Sequence, residues 1–182
     1  VYAPTRNATE GLSRALVRAG IKAVPYHAGL TKTERAVALE RFLGDEVEVV
    51  VATSAFGMGI DKPDVRLVVH WTMPPTLESY YQETGRAGRD GQFARCVLLV
   101  GDDDARLHRA QVEVTFPPPA LAKRVWREPP PWRGVAANTL ASIERLRREL
   151  HPERGGVDWR PVRERHRRTL ARIAAMERYA TE

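Results

Sequence analysis

The sequence predicts an α/β fold: a doubly wound parallel sheet of about five to six strands, followed by a mainly α-helical C-terminal part. Short β-branched runs alternate with helical patterns through the first hundred residues. Two of these runs, residues 49–51 and 67–69, are continuously apolar, as expected for parallel strands covered on both faces. After residue 104 the strand pattern ends and amphipathic helical patterns replace it.

The elements of the sheet region follow one another with short connections. The segments predicted as strands are residues 1–3, 23–26, 47–52, 66–70 and 96–100. Asn7 with Glu10 predicts the start of a helix that extends to residue 20, and Thr31 with Glu34 predicts one that extends to residue 44. A third helix is expected to start near Thr76. Ligands of such sheets bind beyond the carboxyl ends of the strands, so chemistry is expected in the loops there.

The chain is predicted to divide at residue 104, into a lobe of residues 1–104 and a helical, basic extension of residues 105–182. Six prolines between residues 116 and 132 predict turns and helix starts there rather than helix interiors. Asn138 is the expected N-cap of a helix to residue 150, and a last helix is expected from about residue 159 to residue 181.

The net charge of +6 lies entirely in the extension. The lobe contains 12 basic and 14 acidic side chains, whereas the extension contains 17 and 9. An arginine surplus of this kind suits a polyanion such as nucleic acid, although solvated helix faces give the same count. Arg163, Arg167 and Arg168 are the expected exposed candidates, with both roles left open.

Composition excludes several classes of protein. At 182 residues, 43% hydrophobic and 29% charged, the chain is globular rather than disordered or fibrous. It lacks an apolar run of the roughly 20 residues needed to cross a bilayer, so no membrane partner and a cytoplasmic location are expected. Its single cysteine, Cys96, excludes an intrachain disulfide and a four-cysteine zinc site within these residues, and no metal site is predicted.

The strongest chemical signal is the segment of residues 82–91, Gln-Glu-Thr-Gly-Arg-Ala-Gly-Arg-Asp-Gly. Its two arginines, Arg86 and Arg89, are predicted to lie on one side of a helical turn, where they can converge on one phosphate. The alternative is that they only pair with surface acids such as Glu83 and Asp90.

A second signal follows the apolar run at residues 49–51. Thr53 and Ser54 provide two hydroxyls, a glycine-flanked turn follows, and Asp61 supplies a carboxylate. Hydroxyls and backbone amides at a strand end can bind nucleic-acid phosphates without reading the bases. Asp61 can accept a hydrogen bond from a ribose hydroxyl, hold one of the arginines, or simply cap a turn.

Taken in order, segments 2–6, 26–30, 51–63 and 79–91 resemble the second RecA-like lobe of RecQ-family DNA helicases of superfamily 2. The resemblance covers residues 1 to about 105. Phe-Gly-Met-Gly-Ile at 56–60 and Tyr-Tyr-Gln-Glu-Thr at 80–84 are not expected in a DEAD-box RNA helicase, so the resemblance favours DNA.

The resemblance implies roles for individual residues. Arg89 would be the arginine finger and Arg86 its partner. Gln82, Gly85, Gly59 and Asp61 would belong to the ATP site, with Asp61 linking it to DNA. The residues that would line the single-strand track are Thr5, Arg6, His27, Gly29, Thr53 and Ser54. His27 on its own is more often a buried, hydrogen-bonded core residue.

The implied function is the second motor lobe of an ATP-dependent, 3′-to-5′ DNA helicase, associated with the bacterial nucleoid. The sequence contains no Gly-x-x-x-x-Gly-Lys-Ser/Thr and no Asp-Glu-x-His motif. The ligands of ATP-bound Mg²⁺ are therefore expected on the first lobe of the motor, the partner of this one. The alternative is a non-catalytic nucleic-acid-binding or regulatory module with the same fold. Retention of both Arg86 and Arg89 favours the motor.

Overall fold

The computed structural model describes residues 1–57, 60–152 and 156–182. Its parallel strands are β1 (Ala23–Tyr26), β2 (Val49–Ala52), β3 (Leu67–His70) and β4 (Arg95–Leu98). β1 pairs with β2 and β3 pairs with β4, both in parallel. Tyr2 forms parallel bridges to Ala52 and to His70, so the extended segment of residues 1–3 joins the two pairs into one sheet. The sheet predicted from the apolar runs is confirmed, with the N-terminal segment at its centre.

Seven helices accompany the sheet in the part of the chain that the structure describes. They are α1 (Arg6–Arg18), α2 (Lys32–Leu43), α3 (Leu77–Thr84), α4 (Asp104–Thr115), α5 (Pro119–Arg127), α6 (Ala137–Leu150) and α7 (Arg160–Thr181). The first three alternate with the strands, and the last four follow β4 without further strands. This order agrees with the predicted change from an α/β lobe to a helical extension.

Two predicted helix starts are wrong by two residues each. The hydroxyl of Thr5, not the side chain of Asn7, caps α1 by accepting a hydrogen bond from the Ala8 amide at 3.1 Å. Asn7 lies inside the first turn, because the backbone of Thr5 is still extended. Likewise Ala136, not Asn138, precedes α6 with an extended backbone. In both cases the N-cap is set by where the chain stops being extended.

Other local predictions are confirmed. Thr31 and Glu34 form the reciprocal capping box, in which each side chain accepts a hydrogen bond from the other residue's amide. Thr76 caps α3 through the Ser79 amide. The proline-rich segment holds a helix start, since α5 has Pro119 in its first turn.

The sheet buries a core of apolar side chains between its strands, α2 and the loop after β2. Its buried members are Tyr2, Val24, Ala38, Val47, Val50, Ala52, Phe56, Ile60 and Val68. Because Phe56 and Ile60 belong to this core, the loop after β2 is anchored at two points while its polar residues face outward. The core thereby fixes the loop that carries the second chemical signal.

The extension has a core of its own, built by α5, α6 and the first half of α7. Its buried members are Ala122, Ile143, Leu146, Trp159 and Val162. We call this group the helical cluster. The other half of α7 packs elsewhere: Met176 is fully buried with Met73 and Ala105, next to Tyr80 of α3. Helix α7 therefore spans from the helical cluster to the sheet lobe. Among the described residues, no helix is both long enough and apolar enough to cross a membrane.

Candidate nucleotide and nucleic-acid site

The structure places the predicted track residues at the carboxyl edge of the sheet. Thr5 and Arg6 follow the central segment, and His27 and Gly29 follow β1. A Cβ atom on Gly29 would lie 3.0 Å from Arg6 Cδ and 3.1 Å from His27 Nδ1. Thr53 lies beside them, because its amide donates to the Tyr26 carbonyl at 3.2 Å. Strands that are neighbours in the sheet thus bring together residues that are far apart in the sequence.

His27 is buried, with 3% of its surface exposed. Its Nδ1 accepts a hydrogen bond from the Gly29 amide at 3.2 Å, and its Nε2 lies 3.3 Å from Glu10 Oε1 without hydrogen-bonding alignment. The imidazole ring therefore holds the turn at Gly29 from its buried side. This position agrees with the core interpretation of His27 and leaves Arg6, which is exposed, as the charged group of this corner.

The arginine segment differs from the predicted helical turn. Helix α3 ends at Thr84, and residues 85–91 form successive turns closed by hydrogen bonds such as Ala87 N to Thr84 O at 3.0 Å. Gly88 has a φ of +60°, and a Cβ there would lie 2.7 Å from the Gln92 carbonyl oxygen. Helix α3 has already ended before Arg86, and the left-handed Gly88 prevents the following turns from resuming a helix, so the spacing of the arginines did not predict this backbone.

Despite this change of backbone, both arginines reach the same loop. Arg89 Nη1 donates to Asp61 Oδ1 at 2.8 Å and to the Ile60 carbonyl at 3.4 Å. Its Nε donates to the Gly85 carbonyl at 3.3 Å. Of the three alternatives for Asp61, the structure shows the one in which it holds an arginine. The pair is open to solvent, with 38% of the Arg89 side chain and 82% of the Asp61 side chain exposed.

Arg86 is held more deeply. Its Nη2 would lie 2.9 Å from a Cβ on Gly57, so the absence of a side chain at residue 57 makes room for the guanidinium. The group also lies against the hydroxyl of Tyr2, which donates to the Phe56 carbonyl at 3.1 Å. Burial raises the pKa of Tyr2 to about 12, and the positive charge of Arg86 opposes that rise. Arg86 Nε is buried without a hydrogen-bond partner among the described residues.

The acids considered as alternative partners of the arginines are engaged elsewhere. Asp90 accepts two hydrogen bonds from Arg66 on the strand side. Glu83 Oε2 lies 2.7 Å from His70 Nε2, and both side chains are largely buried. Neither acid neutralises Arg86 or Arg89. Arg89 instead pairs with another surface acid, Asp61, so pairing with surface acids stays an alternative role for the arginines.

Four more predicted residues remain. Gln82 is exposed on the last turn of α3, and Gly85 is the C-cap of that helix. Gly59 lies outside the described residues. Ser54 is exposed at the turn after β2. The chain thus runs from Gln82 in α3 through Gly85 to Arg89, whose side chain reaches Asp61.

Sequence reasoning missed Lys62 as an anchor of the same loop. Its Nζ lies 2.7 Å from Asp45 Oδ1 and 3.1 Å from Asp64 Oδ1, and it lies over the ring of Phe42. The hydrogen bond that Lys62 donates to Asp45 raises the pKa of Lys62, and the hydrogen bond that Lys62 donates to Asp64 lowers the pKa of Asp64. The signal available in the sequence was a lysine directly before a proline at the end of the loop, which carries no information about its partners.

A cavity of about 440 Å³ lies next to the two arginines. Its lining combines valines at 47, 49, 50, 65 and 68 with charged side chains, which include Lys62, Arg66, Arg86 and Arg89. The two arginines therefore line this cavity and also contact the loop after β2. No group of residues suited to holding a metal ion occurs in the described ranges.

Comparison with known proteins agrees with this geometry. The family described as helicase conserved C-terminal domain matches residues 1–91. The chain is 49% identical over 113 residues to the ATP-dependent DNA helicase RecQ of Bacillus subtilis and 46% identical over 113 residues to the ATP-dependent helicase SGS1 of Saccharomyces cerevisiae. Each match covers 62% of this chain, but only 19% and 8% of those relatives, so the chain spans less than a fifth of their length.

Solved structures show the same fold with lower sequence similarity. The Escherichia coli DEAD-box protein SrmB, bound to RraA, matches 60% of this chain and 64% of that chain, with a TM-score of 0.52 and 28% identity. A DEAD-box protein from Methanococcus jannaschii matches 62% of this chain and 31% of that one, with a TM-score of 0.53 and 25% identity. The lobe fold is common to both groups of helicases, and the higher sequence identity decides between them. The chain belongs to the helicase C-terminal domain family and is a RecQ-type, RecA-like C-terminal lobe of superfamily 2.

Proposed function

We propose that this lobe supplies two arginines to an ATP site that it forms with the first lobe of the same DNA-unwinding motor. Arg89 acts as the arginine finger and Arg86 as its partner, with Gln82 and Gly85 positioning them. Arg86 Nε, which is buried and has no hydrogen-bond partner in the described ranges, is the observation that carries the proposal. A charged donor left unsatisfied costs stability, and an incoming phosphate oxygen would supply the missing acceptor.

The pair between Arg89 and Asp61 supports the same role. An exposed ion pair contributes about 0–1 kcal/mol, so a phosphate can replace Asp61 as the acceptor at little cost. An arginine against the transferring phosphoryl group contributes a factor of about 10³–10⁵ to the rate. Mg²⁺ bound with ATP neutralises phosphate charge, and its ligands are proposed to come from the first lobe. Asp61 released from Arg89 would face the nucleic acid.

We propose further that DNA passes over the corner formed by Arg6, Gly29 and Thr53, together with Thr5, His27 and Ser54. Arg6 supplies charge, whereas the hydroxyls and the backbone amides near Gly29 supply neutral donors for phosphates. The proposed 3′-to-5′ direction rests on the RecQ-type relatives alone. In this proposal His27 acts indirectly, by holding the turn at Gly29.

The test is a chimera in which residues 1–104 replace the homologous segment of the Bacillus subtilis RecQ relative. Arg89→Ala should reduce ATP turnover by about 10³ or more and change ATP binding by less than about tenfold, because the finger acts on charge that develops in the transition state. Arg89→Lys should restore little, since it lacks the planar fork.

Arg18→Ala, at an exposed arginine in the last turn of α1, is the matched control and should leave turnover unchanged. A chimera that binds DNA but gives no turnover before any substitution would favour the regulatory module instead. Equal losses of binding and turnover in Arg89→Ala would identify Arg89 as a structural ion-pair partner and contradict the proposal.

A further inference from the structure

We propose that helix α5 carries a second nucleic-acid contact, which binds backbone phosphates through Lys123, Arg124 and Arg127. We call these three side chains the α5 cationic face. The choice of nucleic acid as ligand rests on the proposed function, but the site does not. It lies outside residues 1–91, where the family match ends, and on the helical cluster rather than on the sheet lobe.

The α5 cationic face is defined by how the helix packs. Leu121, Ala122, Val125 and Trp126 point into the helical cluster, and Ala122 is fully buried. At 100° per residue, the three cations fall together on the opposite, exposed side. Lys123 and Arg127 are four residues apart and therefore neighbours along the helix surface. Packing of the apolar side thus forces three positive charges onto about one turn.

These charges have few acids near them in the sequence, although Glu128 directly follows Arg127. Between residues 114 and 143 the only acidic residue is Glu128. Within the described ranges, Lys123, Arg124 and Arg127 form no ion pair. The helix dipole favours Arg124 and Arg127, which lie in the last turn, but it does not explain a lysine one turn earlier. Like charges at this spacing repel one another, and an external polyanion would relieve the repulsion.

Helix α7 shows the opposite pattern, although it contains more arginines. Arg167 and Arg168 share Glu164, Arg160 pairs with Asp158, and Arg165 pairs with Glu149. Of the three arginines predicted from the sequence as phosphate contacts, Arg167 and Arg168 thus share one acid within their own helix, whereas Arg163 has no ion pair among the described residues. Residues 114–143, which include α5, carry four basic side chains and one acid, whereas residues 144–182 carry eleven and seven.

A phosphate backbone fits the α5 cationic face better than a membrane does. A helix that adsorbs to a bilayer inserts an exposed apolar side, but the apolar side of α5 is already buried against α6 and α7. Beside the cations, the exposed surface of the helix offers only Ala120. Charge without apolar surface favours sequence-independent contact with a polyanion.

The experiment measures binding of the 182-residue chain to a duplex and to a single strand of the same sequence over a series of salt concentrations. The test variant combines Lys123→Gln, Arg124→Gln and Arg127→Gln. The matched control combines Arg160→Gln, Arg167→Gln and Arg168→Gln, which removes the same charge from α7. Glutamine has nearly the helix propensity of lysine and arginine, and circular dichroism checks that both variants fold.

For the test variant, the slope of log affinity against log salt should become shallower by about 2–3 on the duplex and by about 2 on the single strand, as expected for three lost phosphate contacts. The control should change the slope by less than about one contact. A variant with Arg124→Lys and Arg127→Lys keeps the charge and should keep the slope.

Equal changes in the two triple variants would overturn the proposal, as would an unchanged slope in the test variant. Loss of binding to poly-glutamate or to anionic vesicles, with the DNA slope intact, would also overturn it and assign the face to another anionic partner. Failure of the proposed motor function is measured separately, because the chimera of residues 1–104 lacks α5.

Discussion

His70 and Glu83 join the sheet to the helix that precedes the arginine segment. His70 is the last residue of β3, Glu83 lies in the last turn of α3, and their Nε2 and Oε2 atoms are 2.7 Å apart. Only 2% of the His70 side chain and 13% of the Glu83 side chain are exposed. The imidazole also stacks on Tyr2, whose hydroxyl lies against Arg86. The contact therefore holds the end of α3 against β3, next to the turns that carry Arg86 and Arg89.

Removing the Glu83 carboxylate should destabilise the lobe. Glu83→Ala leaves His70 Nε2 without a partner, in addition to Nδ1, which has none among the described residues. We expect a loss of about 1–3 kcal/mol in the free energy of unfolding by urea, and a smaller loss for Glu83→Gln, which keeps an acceptor. Glu78→Ala, on the exposed side of the same helix, is the control and should cost about 0.5 kcal/mol or less. Similar losses at both positions would contradict the structural role of Glu83.

Gly88 should tolerate a side chain less well than Gly91. Both have positive φ, +60° and +79°, so alanine at either one costs about 1–2 kcal/mol of left-handed strain. A Cβ at residue 88 would in addition lie 2.7 Å from a backbone oxygen, whereas a Cβ at residue 91 would meet nothing within 4 Å. In thermal unfolding, Gly88→Ala should therefore have a clearly lower melting temperature than Gly91→Ala. Equal melting temperatures would show that the turn relaxes around the added atom.

Stability should fall at alkaline pH through Tyr2. Its pKa is raised by burial from 10.0 to about 12, so the folded chain keeps the phenol proton where the unfolded chain loses it. The contribution of this proton to the free energy of unfolding is complete below pH 10 and is lost as the pH rises to about 12. The loss amounts to about 2–3 kcal/mol. Tyr2→Phe lowers stability by removing the hydrogen bond to Phe56, but it should flatten the pH dependence over this range. Urea unfolding of both proteins between pH 9 and about 12 measures the difference, and parallel curves would exclude Tyr2 as its source.

The 182-residue chain should not hydrolyse ATP by itself. In the proposed function it supplies only arginines to a shared ATP site, and its sequence contains no Gly-x-x-x-x-Gly-Lys-Ser/Thr loop to hold the phosphates. Phosphate release measured with and without DNA should equal that of the Arg89→Ala variant. DNA-stimulated release that disappears in Arg89→Ala would show a complete site within these residues and would contradict the division of labour between two lobes.

The sheet was predictable because parallel strands leave a strong local signature. The runs at residues 49–51 and 67–69 are apolar on both faces, and the reciprocal box of Thr31 and Glu34 is contained within four residues. The central position of residues 1–3 was not predictable, because two bridges from Tyr2 define it and neither is local in sequence. Strand order depends on such distant pairings.

The site was predictable only in its residue types. Arg86, Arg89 and Asp61 could be named from the sequence, but the backbone of the arginine segment could not. Spacing suggested a helical turn, whereas α3 ends at Thr84 and turns that include the left-handed Gly88 follow it. The partner of Glu83 was also hidden, because His70 is thirteen residues away on a different element. Contacts between elements, rather than patterns within them, decide which charges are neutralised and which remain available.

Helix α7 joins the two cores of the chain. Its 22 residues measure about 33 Å, with Val162 packed in the helical cluster and Tyr179 against Tyr80 and Tyr81 of α3. One continuous helix therefore connects the surface that holds the α5 cationic face with the helix that precedes the arginine segment.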